Sequence, residues 1–576
     1  MVTHTPSQRY LSTRGGSYDL SFEEVVLKGL ASDGGLFIPE EIPSLPSDWV
    51  SKWLRYSFVD LAFEIFSFFI SPSEIPPEDL KHLIERSYST FRSEDVTPLV
   101  TLKQDKGLHL LELFHGPTFA FKDVALQFLG NLFEYFLVRR NEGKKGRDRE
   151  HLTVIGATSG DTGSAAIYGL RGKKDVSVFI MHPHKKISPV QEAQMTTVLD
   201  PNVHNLAVDG TFDDCQDFVK ALFADPEINK THRLAAVNSI NWARILAQIT
   251  YYLHAYLTLI RDPSHGFASG GVVRFVVPTG NFGDVLAGYF AKSMGLPAEK
   301  LLVATNENDI LHRFWVSGRY EKHPLYGAAA EGGIPADGVK SHPEGVKETL
   351  SPAMDILVSS NFERLLWFLA HEVHGADLPS AAEKRRRAGE SVNAWLQQLK
   401  SSGGFAVDAP ILTTAQRDFE SERVSDMQTV ETIELVYDTA DKPPASAWSS
   451  STPPPPTPTR TAAGSYVLDP HSAVAVCAAL RSVARCEPAP ATQHIALATA
   501  HPAKFARAVE MALNGKSGFK FVDVLPKEFV GLEDKTKRLS IAKKDEGWQG
   551  VRKIVIREVE LELAAAERKE SEAGTA

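Results

Sequence analysis

The chain has 576 residues, of which 43% are hydrophobic and 23% are charged, a composition typical of a globular protein with large cores. Its net charge of −10 argues against non-specific nucleic-acid binding, which needs a strong basic excess. The sequence has no apolar run of about 18 residues or more, so we expect no membrane-spanning segment and no membrane partner.

The cysteines and the first residues bear on the cellular compartment. Cys215, Cys477 and Cys486 are too few and too scattered for a disulfide framework or a cysteine-based zinc site. Reduced thiols are typical of the cytosol, and residues 1–10 lack the apolar core of a signal peptide. Arg9 and nearby hydroxyl residues leave a transit peptide as the alternative. We expect a cytoplasmic protein without a metal site.

The first hundred residues predict a separate helical domain, 1–100. Apolar residues recur at helical spacing over 22–30 and 50–69, and proline-rich breaks separate these stretches. Spacing alone suggests no chemistry for this part of the chain.

From about residue 100, apolar runs alternate with turns and helical stretches. The pairs of predicted strand and helix are 108–114 and 123–138, 152–155 and 164–170, 176–181 and a helix starting after Ser188, 203–208 and 211–223, 272–277 and 285–294, 301–305 and 309–315, and 494–499 and 503–513. This alternation predicts parallel sheets built from βαβ units. The sequence therefore predicts an α/β catalytic region over 101–545.

Two segments depart from this pattern. Residues 442–465 are rich in serine and proline and predict a flexible surface insertion; a proline-rich ligand for a partner protein is the alternative. For 546–576 we expect a strand followed by a charged tail, solvated and helical from Glu560 onward.

Several familiar cofactor motifs are absent from the sequence. No Gly-x-Gly-x-x-Gly opens a helix after the predicted strands, and Gly515-Lys516-Ser517 has Glu510 where a P-loop has its first glycine. His371 and His374 lack the i, i+4 spacing of a zinc helix. These observations argue against a Rossmann dehydrogenase, a nucleotide hydrolase and a zinc protease.

Two turns have the composition of anion sites. Residues 280–284 connect a predicted strand to a helix, and their two glycines let backbone N–H groups face an anion at the positive end of that helix. An ordinary strand–helix turn is the alternative. Residues 159–163 form a second such turn, whose hydroxyl groups suit a carboxylate as well as a phosphate.

Lys122 lies at the predicted start of an apolar helix. Because the amino end of a helix is positive, an ammonium there is disfavoured, and we expect a lowered pKa. A lysine with a lowered pKa is a nucleophile for carbonyl groups. The alternative is a surface lysine whose stem covers apolar residues.

The segment His115-Gly116-Pro117-Thr118-Phe119-Ala120-Phe121-Lys122-Asp123 resembles the Schiff-base lysine motif of threonine synthases. These enzymes use pyridoxal 5′-phosphate (PLP) and have the tryptophan-synthase-β-like fold. Further motifs of that family are matched in the same order at 10–15, 159–163, 238–244, 280–284, 304–309 and 468–471. The resemblance covers nearly the whole chain and implies an α/β protein of PLP fold type II, with two parallel-sheet lobes and a helical N-terminal domain.

The resemblance also implies the cofactor-binding residues. Lys122 would form the internal aldimine with PLP. The cofactor phosphate would be held by Gly280, Asn281, Phe282, Gly283 and Asp284. Asp284 is acidic, so we expect it to cap the helix or order the loop. Thr499 would face the pyridine nitrogen, with strand-end capping as the alternative.

Two further groups would bind substrate. The substrate carboxylate would be received by Ser159, Gly160, Asp161 and Thr162. Since Asp161 would repel a carboxylate, it could instead accept from backbone N–H groups and shape the turn. The substrate phosphate would be bound by Asn238, Ser239, Asn241 and Arg244, because arginine offers a bidentate fork for phosphate. Lys185 and Lys186 are weaker candidates.

The implied reaction converts O-phospho-L-homoserine and water to L-threonine and phosphate, the last step of threonine biosynthesis. Lys122 would serve as the base for the α-proton. A related phospholyase, which does not add water back, and a non-catalytic relative are the alternatives. We expect a monomer or a homodimer.

Overall fold

The computed structural model describes residues 8–267, 271–322, 345–441, 459–461, 464–486 and 492–573. The predictions for the first residues and for most of the 442–465 insertion therefore fall outside the described ranges. No helix within these ranges combines the length and apolarity needed to cross a membrane.

Helices and strands alternate through much of the described chain. The strands are β1 (Tyr10–Ser12), β2 (Phe37–Pro39), β3 (Leu99–Lys103), β4 (Leu108–Glu112), β5 (Leu152–Ala157), β6 (Val176–Pro183), β7 (Val203–Val208), β8 (Leu234–Ala235), β9 (Val272–Pro278), β10 (Ala298–Thr305), β11 (Arg319–Glu321), β12 (Gly404–Ala406), β13 (Phe419–Arg423), β14 (Thr492–Ala498) and β15 (Ser540–Ala542). The helices are α1 (Phe22–Lys28), α2 (Trp49–Trp53), α3 (Phe58–Ser67), α4 (Pro77–Tyr88), α5 (Lys122–Arg140), α6 (Asp161–Leu170), α7 (Pro189–Thr196), α8 (Phe212–Ala224), α9 (Pro226–His232), α10 (Trp242–Arg261), α11 (Gly283–Met294), α12 (Ile310–Ser317), α13 (Phe362–Val373), α14 (Ala381–Ser402), α15 (Ala409–Asp418), α16 (Asp426–Thr439), α17 (Pro470–Cys486), α18 (Ala506–Leu513) and α19 (Gly547–Ala573).

The N-terminal residues form helices α1 to α4 and a small antiparallel sheet of β1 and β2, which the sequence does not predict. Ser21 starts α1, because its side chain accepts from the Glu24 N–H while the Glu24 side chain accepts from the Ser21 N–H. Helix α3 packs on the body of the molecule, and the rings of Phe66 and Phe128 lie 4.6 Å apart. The N-terminal residues thus support α5, the helix that begins with Lys122.

Two separate sheets form the body of the molecule. The first has the order β13-β10-β9-β14-β4-β3, with β3 antiparallel to β4 and every other pair parallel. The second has the order β15-β7-β6-β5-β8 and is parallel throughout. Every residue of β6 is buried, as expected for a sheet covered on both faces. The predicted fold of two parallel-sheet lobes is confirmed.

The connections that follow the carboxyl ends of strands from both sheets line one large cavity. These connections follow β4, β9 and β14 in the first sheet and β5 and β6 in the second. The cavity has a volume of about 1970 Å³. Ligands of open parallel sheets bind at this end of the strands, so the fold itself marks the cavity as the candidate site.

The strand expected within 546–576 is wrong, because α19 spans most of that segment. The short apolar run at 554–556 resembles a strand when it is taken alone. In the structure Val551, Val555 and Val559 lie four residues apart and are buried in one cluster with residues of the five-stranded sheet. Spacing of four residues places the three side chains on one face of a helix. Glu562 adds polar contacts, accepting from Ser177 Oγ at 2.8 Å.

Candidate active site

Lys122 is the first residue of α5 and lines the cavity with 9% of its surface exposed. The loop before it is fixed by Asp123, which accepts from the Thr118 N–H at 2.8 Å and from Thr118 Oγ1 at 2.7 Å. Phe119 in the same loop has a φ of 60°, in the left-handed region. The amine of Lys122 is therefore presented to the cavity by an ordered loop.

Burial lowers the pKa of Lys122 to about 8. The carboxylate of Asp161 opposes this shift, while the cations of Lys504 and Arg244 add to it. The sequence predicts the same direction from the helix end, but the larger cause is the loss of water around the amine. Near neutral pH such an amine is close to its titration point, which suits proton transfer.

The turn at 159–163 follows β5 and starts α6. Thr158 Oγ1 accepts from the N–H groups of Gly160 at 3.0 Å and Gly163 at 2.9 Å. Gly160 has a φ of 147°, which favours glycine, and a Cβ there would lie 2.5 Å from the Gln191 side chain. Ser159 and Thr162 line the cavity, as a substrate-binding turn requires.

Asp161 does not shape this turn through backbone N–H groups, contrary to the sequence-based expectation. Its Oδ1 lies 2.7 Å from Lys504 Nζ and accepts from Gln191 Nε2 at 2.8 Å. Burial alone would raise the pKa of Asp161, but Lys504 and Lys122 hold it well below its usual range. The carboxylate is thus ionised and its charge is compensated.

Lys504 is a site residue that the sequence analysis missed. It ends a short 3-10 turn, Pro502–Lys504, between β14 and α18, and only 2% of its surface is exposed. Its Nζ also donates to the Thr118 carbonyl at 2.8 Å. The available signal was its position just after a predicted strand, in the same connection as Thr499.

The turn at 280–284 lies between β9 and α11 and lines the cavity. The residue with positive φ is Phe282, at 65°, and not one of the two glycines. Gly280 is needed for a different reason, because a Cβ there would lie 2.8 Å from the carbonyl oxygen of Ala353. The turn ends at the amino end of α11, where unpaired backbone N–H groups can bind an anion.

Asp284 lines the same cavity, and its carboxylate is bound by two tyrosines. The hydroxyl groups of Tyr251 and Tyr252 donate to Asp284 Oδ1, the latter at 3.0 Å. Burial raises the pKa of Asp284 to about 6, against these two hydrogen bonds. These contacts join the start of α11 to α10, and the role of Asp284 in capping the helix or ordering the loop stays a prediction.

Three of the four residues predicted for the substrate phosphate line the cavity: Asn238, Ser239 and Arg244. Asn241 does not. Its Oδ1 accepts from the Ala243 N–H at 3.1 Å and caps α10, while its Nδ2 donates to the Val26 carbonyl at 2.9 Å. The Asn241 side chain is fully buried and outside the cavity lining, so the prediction that it binds the substrate phosphate is wrong.

Arg244 is 4% exposed, and its Nη1 donates to the Val237 carbonyl at 2.9 Å. Within the described part of the chain its Nε has no hydrogen-bond partner. Burial lowers the pKa of Arg244 to about 10, so the guanidinium stays charged at neutral pH. A buried cation at the cavity wall is a strong anion ligand.

Asn361 is a second residue that the sequence analysis missed. Its Nδ2 donates to the carbonyl groups of Ser239 at 3.2 Å and Asn281 at 3.0 Å. It thereby joins the predicted substrate-phosphate loop to the predicted cofactor-phosphate turn. No local sequence signal marks it, since it lies far along the chain from both partners.

Thr499 and Lys186 also line the cavity, whereas Lys185 is not among its lining residues. Thr499 follows β14, and its carbonyl accepts from the Phe121 N–H at 2.8 Å, one residue before Lys122. The cavity therefore combines a buried amine, the two turns predicted to bind anions and the buried cations Arg244 and Lys504. Such a set can hold small phosphorylated and carboxylated molecules beside a nucleophilic lysine.

Comparison with known proteins gives matches along most of the chain. Residues 9–88 match the family model "Threonine synthase N terminus", 91–356 match "Pyridoxal-phosphate dependent enzyme" and 472–555 match "Threonine synthase, C-terminal". A threonine synthase of Schizosaccharomyces pombe is 54% identical over 91% of this chain and 93% of its own length.

Solved structures give the same result. The crystal structure of threonine synthase from yeast superposes with a TM-score of 0.83 at 51% identity, covering 97% of this chain and 99% of that chain. PLP-bound threonine synthase from Brucella melitensis superposes with a TM-score of 0.76 at 38% identity, covering 96% of this chain and 99% of that chain.

Proposed function

The chain belongs to the threonine synthase family of PLP-dependent enzymes, and from this premise we propose that its cavity converts O-phospho-L-homoserine and water to L-threonine and phosphate. One observation carries the proposal. The amine of Lys122 faces a cavity that is also lined by the two anion-binding turns and by Arg244. That arrangement suits a substrate with a carboxylate at one end and a phosphate at the other.

The residues present fit PLP. The buried Lys122, whose pKa is about 8, would hold the aldehyde carbon of the cofactor covalently. Backbone N–H groups of Gly280, Asn281, Phe282 and Gly283 would hold its phosphate, while the carboxylate of Asp284 accepts from Tyr251 and Tyr252. Thr499 would face the ring nitrogen. When bound, PLP withdraws electrons from the substrate's α-carbon.

Lys122 would also move protons. Its Nζ would take the α-proton and carry protons between neighbouring carbons. A pKa near 8 lets both the amine and the ammonium occur near neutral pH, as a proton carrier requires.

The two ends of the substrate would bind to opposite polar groups of the cavity. Ser159, Gly160 and Thr162 would receive the carboxylate, and the charge of Asp161 is offset by Lys504. Arg244 would bind the phosphate with Asn238 and Ser239. The buried position of Arg244 supports a strong contact, because little water competes for the guanidinium.

Product analysis tests the proposal. Purified protein loaded with PLP is given O-phospho-L-homoserine, and threonine, phosphate, keto acid and ammonia are measured. We expect threonine and phosphate in equal amounts, and neither from the Lys122→Ala variant. Keto acid with ammonia instead of threonine would identify a phospholyase, and no product would identify a non-catalytic relative.

Arg244→Ala tests the phosphate assignment. We expect kcat/KM of this variant to fall by about 30-fold to several thousand-fold, because one partner of a desolvated ion pair is lost. Inhibition by inorganic phosphate should weaken while PLP affinity is kept. Lys185→Ala is the matched control, because that cation is not among the cavity-lining residues. Equal phosphate inhibition of wild type and Arg244→Ala would transfer the role to Lys186.

A cytoplasmic location belongs to the same proposal. All three cysteines are free, as is common in a reducing compartment. Cell fractionation that recovers the protein with organelles would contradict this part of the proposal.

A further inference from the structure

An ion pair joins the two lobes at the cavity wall. Lys504 comes from the connection after β14 in the six-stranded sheet, and Asp161 comes from the connection after β5 in the five-stranded sheet. Their Nζ and Oδ1 atoms lie 2.7 Å apart, with side-chain exposures of 0% and 5%. Both residues line the cavity together with Lys122.

The same lysine also holds the loop that precedes Lys122. Lys504 Nζ donates to the Thr118 carbonyl at 2.8 Å, and Gln194 Nε2 donates to the same oxygen at 3.2 Å. One ammonium group therefore contacts both the loop that presents the catalytic amine and the turn assigned to the substrate carboxylate.

A buried ion pair of this kind needs a reason, because desolvating two charges is costly and a neutral pair of similar shape often gives equal stability. Asp161 alone would repel an incoming carboxylate. With Lys504 beside it, the pair is neutral overall. Asp161 also gains from its position at the positive end of α6.

We propose that Lys504 is a positioning residue, whose ion pair with Asp161 joins the two lobes beside Lys122 and keeps the 159–162 turn receptive to the substrate carboxylate. This inference rests on the proposed function. Without Lys504, the free carboxylate would meet the substrate carboxylate and would also favour the ammonium form of Lys122. Removing both charges would restore a neutral wall.

Four forms of the PLP-loaded enzyme test the inference: wild type, Lys504→Met, Asp161→Asn and the double variant. We measure KM and kcat with O-phospho-L-homoserine, the thermal midpoint, and the pH midpoint of the cofactor absorbance. For Lys504→Met we expect about a hundredfold lower kcat/KM, expressed mainly in KM, since one member of a buried pair is left alone. We expect the double variant to recover at least about tenfold of that loss.

The absorbance midpoint is a readout independent of activity. The charged groups acting on Lys122 are Asp161, Asp123, Lys504 and Arg244. Removing the cation of Lys504 should raise the midpoint, and removing Asp161 as well should bring it back toward wild type. Gln191→Met is the control: it removes the other donor to Asp161 without a charge, and we expect a change below about tenfold.

Four results would overturn the inference. The first three are losses that multiply in the double variant, an unchanged KM and midpoint in Lys504→Met, and a double variant that does not fold while Asp161→Asn does. Loss of folding in all three variants would also overturn it, because the pair would then serve folding. If Lys504→Met fails to fold but the double variant folds, the coupling is supported. If the wild type forms no threonine, the proposed function is refuted, but the inference about Lys504 is not. The pH midpoints of the cofactor absorbance would still test the coupling between Lys504 and Asp161.

Discussion

Charged groups buried at the cavity wall differ in how they are compensated. Asp161 has a cation at 2.7 Å, whereas the carboxylate of Asp284 accepts from two tyrosine hydroxyl groups. The pKa of Asp161 is lowered and that of Asp284 is raised to about 6. At the scale of single residues, a compensating cation decides whether a buried carboxylate is stable as an anion.

Asp284→Asn should therefore stabilise the protein more at pH 7.5 than at pH 5. The folded pKa of Asp284, about 6, lies above its unfolded value, so stability from this group is greatest below the unfolded pKa and falls as pH rises through 6. Asparagine keeps an acceptor for the tyrosines and does not titrate. We expect a difference of roughly 1 kcal/mol between the two pH values, by denaturant unfolding of cofactor-free protein. A larger gain at pH 5 would show that the anion is needed.

Individual site residues could be predicted to the extent that their partners are close in sequence. Lys122 is found because its segment starts a helix and matches a family motif. Lys504 and Asn361 are missed because their partners, Asp161, Ser239 and Asn281, are distant along the chain. Asn241 is misassigned because a sequence does not show that a side chain already caps its own helix.

At the scale of elements, the turn before α11 is unusual because its left-handed backbone conformation is not at a glycine. Phe282 has the positive φ, and its ring packs on Trp315, Phe362 and Phe419, with centroid distances of 5.9, 5.4 and 6.0 Å. This aromatic contact offsets the conformational cost of a non-glycine residue there. The two glycines of the turn then have different functions.

Gly280→Ala and Gly283→Ala should separate those functions. At Gly280 a Cβ would lie 2.8 Å from the Ala353 carbonyl oxygen, so this variant should lose thermal stability in cofactor-free protein. At Gly283 the nearest atoms are the Asn361 amide nitrogen at 3.4 Å and Ile245 Cδ1 at 3.5 Å, so folding should be nearly unchanged. Cofactor affinity is measured alongside. Equal thermal midpoints for the two variants would contradict this distinction.

The elements themselves were predicted well where apolar runs alternate with helical spacing. The structure has β5, β6, β7 and β9 where apolar runs predict strands, and the start of α7 is confirmed by the contact of Ser188 Oγ with the Gln191 N–H. The strand expected in 546–576 is wrong because a short run of valine and isoleucine fits both the two-residue period of a strand and the 3.6-residue period of a helix. Only the burial of residues four apart decides for a helix.

At the scale of the whole molecule, the end of the serine- and proline-rich insertion forms hydrogen bonds with the six-stranded sheet. Thr459 Oγ1 donates to Glu112 at 3.3 Å, and Tyr466 donates to the same oxygen at 2.6 Å. Glu112 also contacts His115 at 2.8 Å, at the start of the loop leading to Lys122. The boundary of any deletion in this segment therefore matters.

Replacing 443–458 by a short glycine linker should leave the melting temperature and kcat/KM nearly unchanged, because loop-closure entropy varies slowly with length. Arg460 Nη1 lies 3.1 Å from the Asp441 carbonyl oxygen, so a short connection can span the gap. Extending the deletion through Thr461 should lower the melting temperature, since the contact with Glu112 is lost. Equal behaviour of the two deletions would show that this contact contributes nothing measurable.

The central claim is that Lys122, in the cavity between the two lobes, is the lysine that holds PLP. Borohydride reduction of the holoenzyme fixes the cofactor to that lysine, and peptide mass spectrometry then locates the added mass. We expect the mass on the peptide containing Lys122 in wild type and no labelled peptide in Lys122→Ala. Label on Lys504, the other buried lysine of the cavity, or on no lysine of the wild type would contradict the claim.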